Sequence, residues 1–165
     1  MKKKIIIIDD EPLIPLLINE FLEEDNGFEI SEIVSAPEAF EDAVERNYFD
    51  VALIDISVGE WEGGLRLLRV LKDKKIQLPS IILSSHSEGD YALKCLQAGA
   101  RGYINKLNIC SSLLPGLKHV CSGGLYVAGD FGAAIVAQYE RAGVGPKQPS
   151  KFSRAIQRQT DGVRI

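Results

Sequence analysis

The chain has 165 residues, 45% of them hydrophobic and 25% charged, with a formal net charge of −4. That suffices for one domain with a proper core plus an appendage, in the ordinary composition of a soluble globular protein. The basic start (Lys2, Lys3, Lys4) leads into an apolar run that meets acids after Ile8, unlike a secretory leader, and no stretch approaches the roughly 18 apolar residues of a membrane span.

Apolar runs of four to six residues alternate along the chain with segments of helical period. "KIIIID" reads as a strand buried on both faces, because no polar alternation interrupts it. "EPLIPLLINEFLEED" follows as a helix whose apolar face is formed by Leu13, Leu16, Leu17, Phe21 and Leu22. Pro12 and Pro15 fall in its first turn and Asn26-Gly27 closes it. "FEISEIV" alternates as a half-buried strand, and "SAPEAFEDAVERN" opens a helix with Ser35 as N-cap and Pro37 near N1. "FDVALIDI" is a second fully apolar strand ending in an acid. Then come the helix "GGLRLLRVLKDKK", the strand "LPSIILSS", the helix "EGDYALKCLQAGA", the short strand "RGYINK" and the helix "SSLLPGLKHVCSGG". Pro115 strains this last helix unless the helix starts near Ser112, which would place the proline in its first turn. Beyond Gly124, "LYVAGDFGAAIVAQYERAG" suggests a short strand-like stretch and a sixth helix capped by Asp130.

Strict alternation of five strands and five helices with short connections implies a doubly wound α/β fold. The expected sheet is parallel and five-stranded, flavodoxin-like with order 2-1-3-4-5, and carries a short C-terminal helical extension. In such sheets ligands bind outside the carboxyl ends of the strands, at the switch point between the first and third. Asp9 and Asp10 follow one of those strands and Asp55 the other. Three carboxylates at one mouth repel each other, and a hard divalent cation such as Mg²⁺ resolves the conflict. Ser84 and Lys106, at the ends of the next two strands, add a hydroxyl and an ammonium. Together these groups make a place for a phosphoryl group, and an aspartate can itself be the acceptor. No GxxxxGK[ST] cradle occurs, so a nucleotide is not the evident donor.

"IIIIDDEP", "VALIDISVGEWEGG", "IILSSH" and "AGARGYINK" resemble the receiver domain of two-component response regulators over about residues 3–124. "AGARGYINKLN…GGLYV" is most similar to the subfamily whose receivers precede a helix-turn-helix DNA-binding domain. The resemblance implies Asp55 as phosphoacceptor, with Mg²⁺ held by Asp9, Asp10, Asp55 and the main-chain carbonyl of Ser57. It implies Ser84 as the switch hydroxyl, Lys106 as the cation on the phosphoryl oxygen, and Tyr103 as the aromatic whose rotamer follows the state. Ser57 and His86 would edge the phosphoryl site and tune hydrolysis. Implied partners are a sensor histidine kinase, a second copy of the chain on phosphorylation, and DNA through an output domain beyond this sequence. No turnover enzyme is implied, only self-phosphorylation and autodephosphorylation. Gly59 stands where the family usually has proline, a change expected to loosen that loop. Two other readings are a receiver used as an unphosphorylated interaction module and a Mg²⁺-dependent aspartyl-phosphate phosphatase. In the phosphatases the nucleophile ends the first strand and the metal pair comes late, the reverse of the order here.

The expected organisation is a receiver domain at 1–124, an extension at 125–142 and a basic tail at 143–165. The tail carries a net +4 against −8 for the rest, and "VGPKQPSK" reads as a linker cut before a missing domain. Cys95, Cys110 and Cys121 lack CxxC spacing and neighbouring His pairs, so spectator thiols in a reducing cytoplasm are expected. Trp61, in the loop after Asp55, is either an exposed partner contact or a lid on the third helix.

Overall fold

The computed structural model describes residues 1–86, 88–130 and 132–143, with backbone alone for 88–90. The elements run β1 (Lys3–Ile8), α1 (Leu13–Glu23), β2 (Phe28–Val34), α2 (Pro37–Arg46), β3 (Val51–Asp55), α3 (Gly63–Asp73), β4 (Ser80–Ser84), α4 (Glu88–Gln97), β5 (Gly102–Asn105), α5 (Ile109–Cys121), β6 (Tyr126–Val127) and α6 (Gly132–Arg141). A 3-10 turn at Lys106–Asn108 joins β5 to α5. All paired strands are parallel, in the order β2-β1-β3-β4-β5-β6. The expected five-stranded order is present. The stretch after Gly124 adds a sixth strand on its edge, and α6 packs against β6 and α4.

Alternation along the strands divides the core in two. Ile5 and Ile7 join Ile18 and Leu22 of α1 and Leu113, Leu117 and Val120 of α5. Ile6 and Ile8 join Phe40 of α2, Leu65 and Leu67 of α3, Ala92 and Cys95 of α4 and Val136 of α6. Ile5 to Ile8 and Val51 to Ile54 are fully buried, as uninterrupted apolar strands require. Burial also drives the Cys95 thiol up to about 12, so it stays protonated.

Local details correct or sharpen the expected elements. Leu13 and Leu16 do not face the core; they are 75% and 65% exposed, and α1 turns Ile14, Leu17, Ile18 and Leu22 inward instead. A helix apolar on nearly every side leaves its buried face undecided by period alone. Ser35 is not the N-cap of α2, because the cap position falls on Ala36, whose extended backbone precedes Pro37 at N1 without a side-chain cap. The cap expected at Asp130 is not among the described features: Asp130 stands two residues before Gly132, the first residue of α6, and residue 131 lies outside the described residues. The fifth helix begins at Ile109, so Pro115 lies inside it and denies the Ser111 carbonyl its helical N–H partner. Gly116 beside it has a positive reason: a Cβ there would meet the Tyr126 ring at 3.0 Å and Ile104 Cδ1 at 3.1 Å. β2 alternates as expected: Phe28 is buried, Ile30, Glu32 and Val34 are half-buried, and Glu29, Ser31 and Ile33 are exposed. Only its pairing register shifts: Ile5 and Ile6 pair with Ile30 and Glu32, so Ser31 is an extra residue opposite β1.

Candidate functional site

The carboxyl ends of β1 and β3 lie side by side, since Ile8 pairs with Ile54. Asp9 follows the first strand and Asp55 ends the second, both buried, while Asp10 is exposed. Each of the three offers an oxygen within 4.8 Å of the others. Asp9 Oδ1 accepts the Glu11 N–H at 2.8 Å. Asp55 Oδ1 accepts from the Ser57 N–H at 3.3 Å and the Ser57 hydroxyl at 3.2 Å, in an Asx-type turn that folds Ser57 over the carboxylate. Asp55 Oδ2 is buried without a hydrogen-bond partner among the described residues.

Lys106 reaches this cluster from the end of β5. Its Nζ lies 3.0 Å from Asp9 Oδ2, 3.0 Å from Glu11 Oε1 and 3.5 Å from Asp55 Oδ1, and its side chain is 8% exposed. Burial alone would pull the ammonium down, but the bonds to Glu11 and Asp9 and the Asp55 charge outweigh it, and it sits above the ordinary lysine value. The Asp9 carboxyl is raised, first by burial and further by Asp55, against the opposing pull of the Glu11 N–H and Lys106. One ammonium paired with three carboxylates, with Asp10 beside them, leaves an excess of negative charge. The all-oxygen donor set, with one orphaned buried oxygen on Asp55, suits a hard divalent cation.

Beyond Asp55 the chain folds tightly onto itself. Gly59 has φ +74° and Glu62 φ 59°. A proline, fixed near φ −65°, could not occupy position 59, so Gly59 belongs to a differently shaped loop and not simply to a looser one. Gly64 donates to the Ile56 carbonyl at 2.9 Å, and a Cβ on Gly64 would meet the Asp55 carbonyl oxygen at 2.7 Å. The helix therefore starts in direct backbone contact with the segment that carries Asp55.

On the next strand, Ser84 is fully buried, and its Oγ accepts the His86 N–H at 3.0 Å. The His86 carbonyl accepts from both the Tyr103 hydroxyl at 2.9 Å and Asn105 Nδ2 at 3.0 Å. Tyr103 is fully buried. Trp61 lies over this loop and not on α3: its ring centroid is 4.7 Å from His86 and 5.9 Å from Tyr91. Asp9, Asp10, Asp55, Ser57 and Lys106 thus converge, with Ser84, His86 and Tyr103 forming an adjoining hydrogen-bonded group. Glu11, Asn105 and Gly64 were missed by sequence reasoning. A third acid in "DDE" and a Gly-Gly pair where a helix cap should stand were the available signals.

The sequence profile of the response regulator receiver domain matches residues 5–114, two thirds of the chain. The chain belongs to that family. Response regulator UvrY of Escherichia coli K12 is 30% identical over 159 residues, covering 94% of this chain and 69% of UvrY. A Pseudomonas aeruginosa protein named as a transcriptional regulator is 31% identical over 123 residues, and this chain spans 58% of its length. Among solved structures, a LuxR-family two-component response regulator from Aurantimonas sp. SI85-9A1 superposes with a TM-score of 0.73 at 18% identity. That match covers 88% of this chain and all of the other, and supports the fold. Receiver domains of this family are signalling domains that interact with histidine kinases. Among the described residues no helix is long and apolar enough to cross a membrane.

Proposed function

We propose that the chain is a phosphoacceptor switch of a two-component system, charged on Asp55 by a sensor histidine kinase. The observation that carries this reading is the orphaned, buried Asp55 Oδ2 inside a three-aspartate cluster with Lys106 at its edge. Asp9, Asp10, Asp55 and the Ser57 carbonyl would hold Mg²⁺, which when bound neutralises charge on the transferring phosphoryl oxygens. Asp55 Oδ2 attacks the phosphorus of a phosphohistidine in line; the O–P bond forms as the N–P bond breaks, and the imidazole leaves with its electron pair. Lys106 shifts its pairing from Asp55 to a phosphoryl oxygen. Ser84, whose oxygen already accepts from His86, has its own O–H to donate to that group, while buried Tyr103 fixes the His86 carbonyl. Ser57 and His86 flank the acyl phosphate and set its hydrolysis.

Exposed Leu13 and Leu16 on α1 and Leu107 after Lys106 offer the kinase an apolar surface. The Glu11–Lys106 pair fixes their two segments side by side. The output is transcriptional, through a DNA-binding region that lies outside residues 1–143, with dimerisation as the response to phosphorylation and the cytoplasm as the compartment. Residues 1–124 act as the receiver, 125–142 as its extension and 143–165 as a linker; from residue 144 on, that tail falls outside the described residues. The activity is confined to self-phosphorylation and autodephosphorylation.

Acetyl phosphate with Mg²⁺ tests the reading. One alkali-labile phosphoryl group per chain is expected, and Asp55→Asn should abolish it because an amide is neither a comparable nucleophile nor an anionic ligand. Full labelling of that variant at a single site would overturn the assignment. An unlabelled wild-type chain would return the reading to an interaction module.

A further inference from the structure

The backbone between Asp55 and α3 is held in an unusual shape that the acceptor chemistry does not by itself require. Glu62 takes a left-handed conformation disfavoured for any residue with a side chain. Such conformations persist where the surroundings over-determine them, and they mark functional constraint. Here the conformation accompanies two contacts made by neighbouring residues. Glu62 places both carboxylate oxygens on Lys94 Nζ of α4, at 2.6 and 2.8 Å. Trp61, the single tryptophan, makes T-shaped contacts with His86 and Tyr91, and those two rings lie 4.8 Å apart. An aromatic that is 59% exposed yet engaged with two other rings is not a core residue; it is laid across a surface.

The place it crosses is a junction. The His86 N–H holds Ser84 Oγ, and the His86 carbonyl receives both Tyr103 and Asn105. Both backbone polar groups of His86 are thus tied to β4 or β5, and its ring is tied to the loop that leaves Asp55. We propose that Trp61, clipped by Glu62–Lys94, is a positioning residue. It latches the β4–α4 loop so that Ser84 and Tyr103 stand in the arrangement that accepts a phosphoryl group, and it carries a change at Asp55 directly to α4. The latch rests on the acceptor reading above, and it adds a second connection from the acceptor loop to α4 beside the one through Ser84.

If the latch pre-organises the site, its loss lowers the populated fraction of the competent arrangement. Every process that needs that arrangement then falls by one common factor. Trp61→Ala should slow labelling by acetyl phosphate three- to tenfold and weaken beryllofluoride binding, followed by NMR in Mg²⁺, by the same factor. Trp61→Phe, which keeps an aromatic ring, should recover at least half of the wild-type rate. The His86 ring proton shifts should change in the alanine variant as those protons leave the Trp61 ring current. Wild-type rate and affinity in Trp61→Ala would overturn the latch while leaving Asp55 as acceptor. Unequal factors for rate and affinity would overturn it as well. A wild-type chain that neither labels nor binds beryllofluoride would overturn the acceptor reading itself. Should Trp61→Ala fail to fold, Glu62→Gln decides: a rate loss of twofold or more supports the latch, and no loss refutes it.

Discussion

Adding one methyl group at Gly64 tests how tightly α3 is seated on the segment that carries Asp55. A Cβ there would lie 2.7 Å from the Asp55 carbonyl oxygen, 2.9 Å from Ile56 Cα and 3.2 Å from Ile54 Cγ2. The two nearest atoms are backbone in and beside a fully buried strand, so neither can swing away. Overpacking of this kind costs about 1–3 kcal/mol, and alanine returns less than about 1 kcal/mol of helix propensity at a first-turn position, leaving a net loss of about 1–2 kcal/mol. For a chain of this size the unfolding midpoint should fall by about 2–8 °C. Gly99→Ala is the matched control. Gly99 has φ +110° with nothing within 4 Å of a built Cβ, so its alanine variant pays only the left-handed conformation, about 1–2 kcal/mol, far from Asp55. Thermal unfolding by circular dichroism and acetyl-phosphate labelling should show both variants destabilised and only Gly64→Ala slowed in labelling. A Gly64→Ala protein with wild-type midpoint and wild-type labelling would refute the reasoning.

Asp10→Asn removes an exposed carboxylate from the proposed Mg²⁺ set, so Mg²⁺ affinity by titration calorimetry should fall at least about tenfold, or 1.4 kcal/mol. The metal-free midpoint should hold or rise as like charges thin out, and unchanged affinity would reduce the acid to a structural part. Burial lowers the His119 imidazole beneath its ordinary value of 6.5. The unfolded chain therefore binds the extra proton first: this contribution to stability is complete above pH 6.5 and is lost as pH falls through the folded value. An NMR titration placing His119 at or above 6.5 would contradict this.

What could be read from sequence follows from which constraints are one-dimensional. Unbroken apolar strands, their terminal acids and the Lys106 terminus fix the topology and bring Asp9, Asp10, Asp55 and Lys106 to one edge, because a parallel sheet places all strand ends together. Properties set by partners distant in sequence stayed hidden. Glu11 finds Lys106 across 95 positions. Leu13 and Leu16 are turned outward by a choice between two apolar faces. The extra residue at Ser31 is a matter of pairing register. The conformations of Gly59 and Glu62 depend on the loops they meet, and Trp61 could not be assigned until His86 and Tyr91 were seen beneath it.

The packing of α6 bears on how the molecule should be cut. Ile135, Val136 and Tyr139 share a continuous core with Ala92, Cys95 and Leu96 of α4, and β6 closes the sheet edge beside Tyr103. A fragment trimmed at the end of α5, just past the residue 114 at which the family profile stops, would strip that cover and leave a row of apolar side chains beside an unprotected strand. Such a fragment invites self-association that has nothing to do with signalling. Assembly measured on it would report the missing helix, whereas a fragment ending after Gly143 keeps α6 packed over α4 and β6.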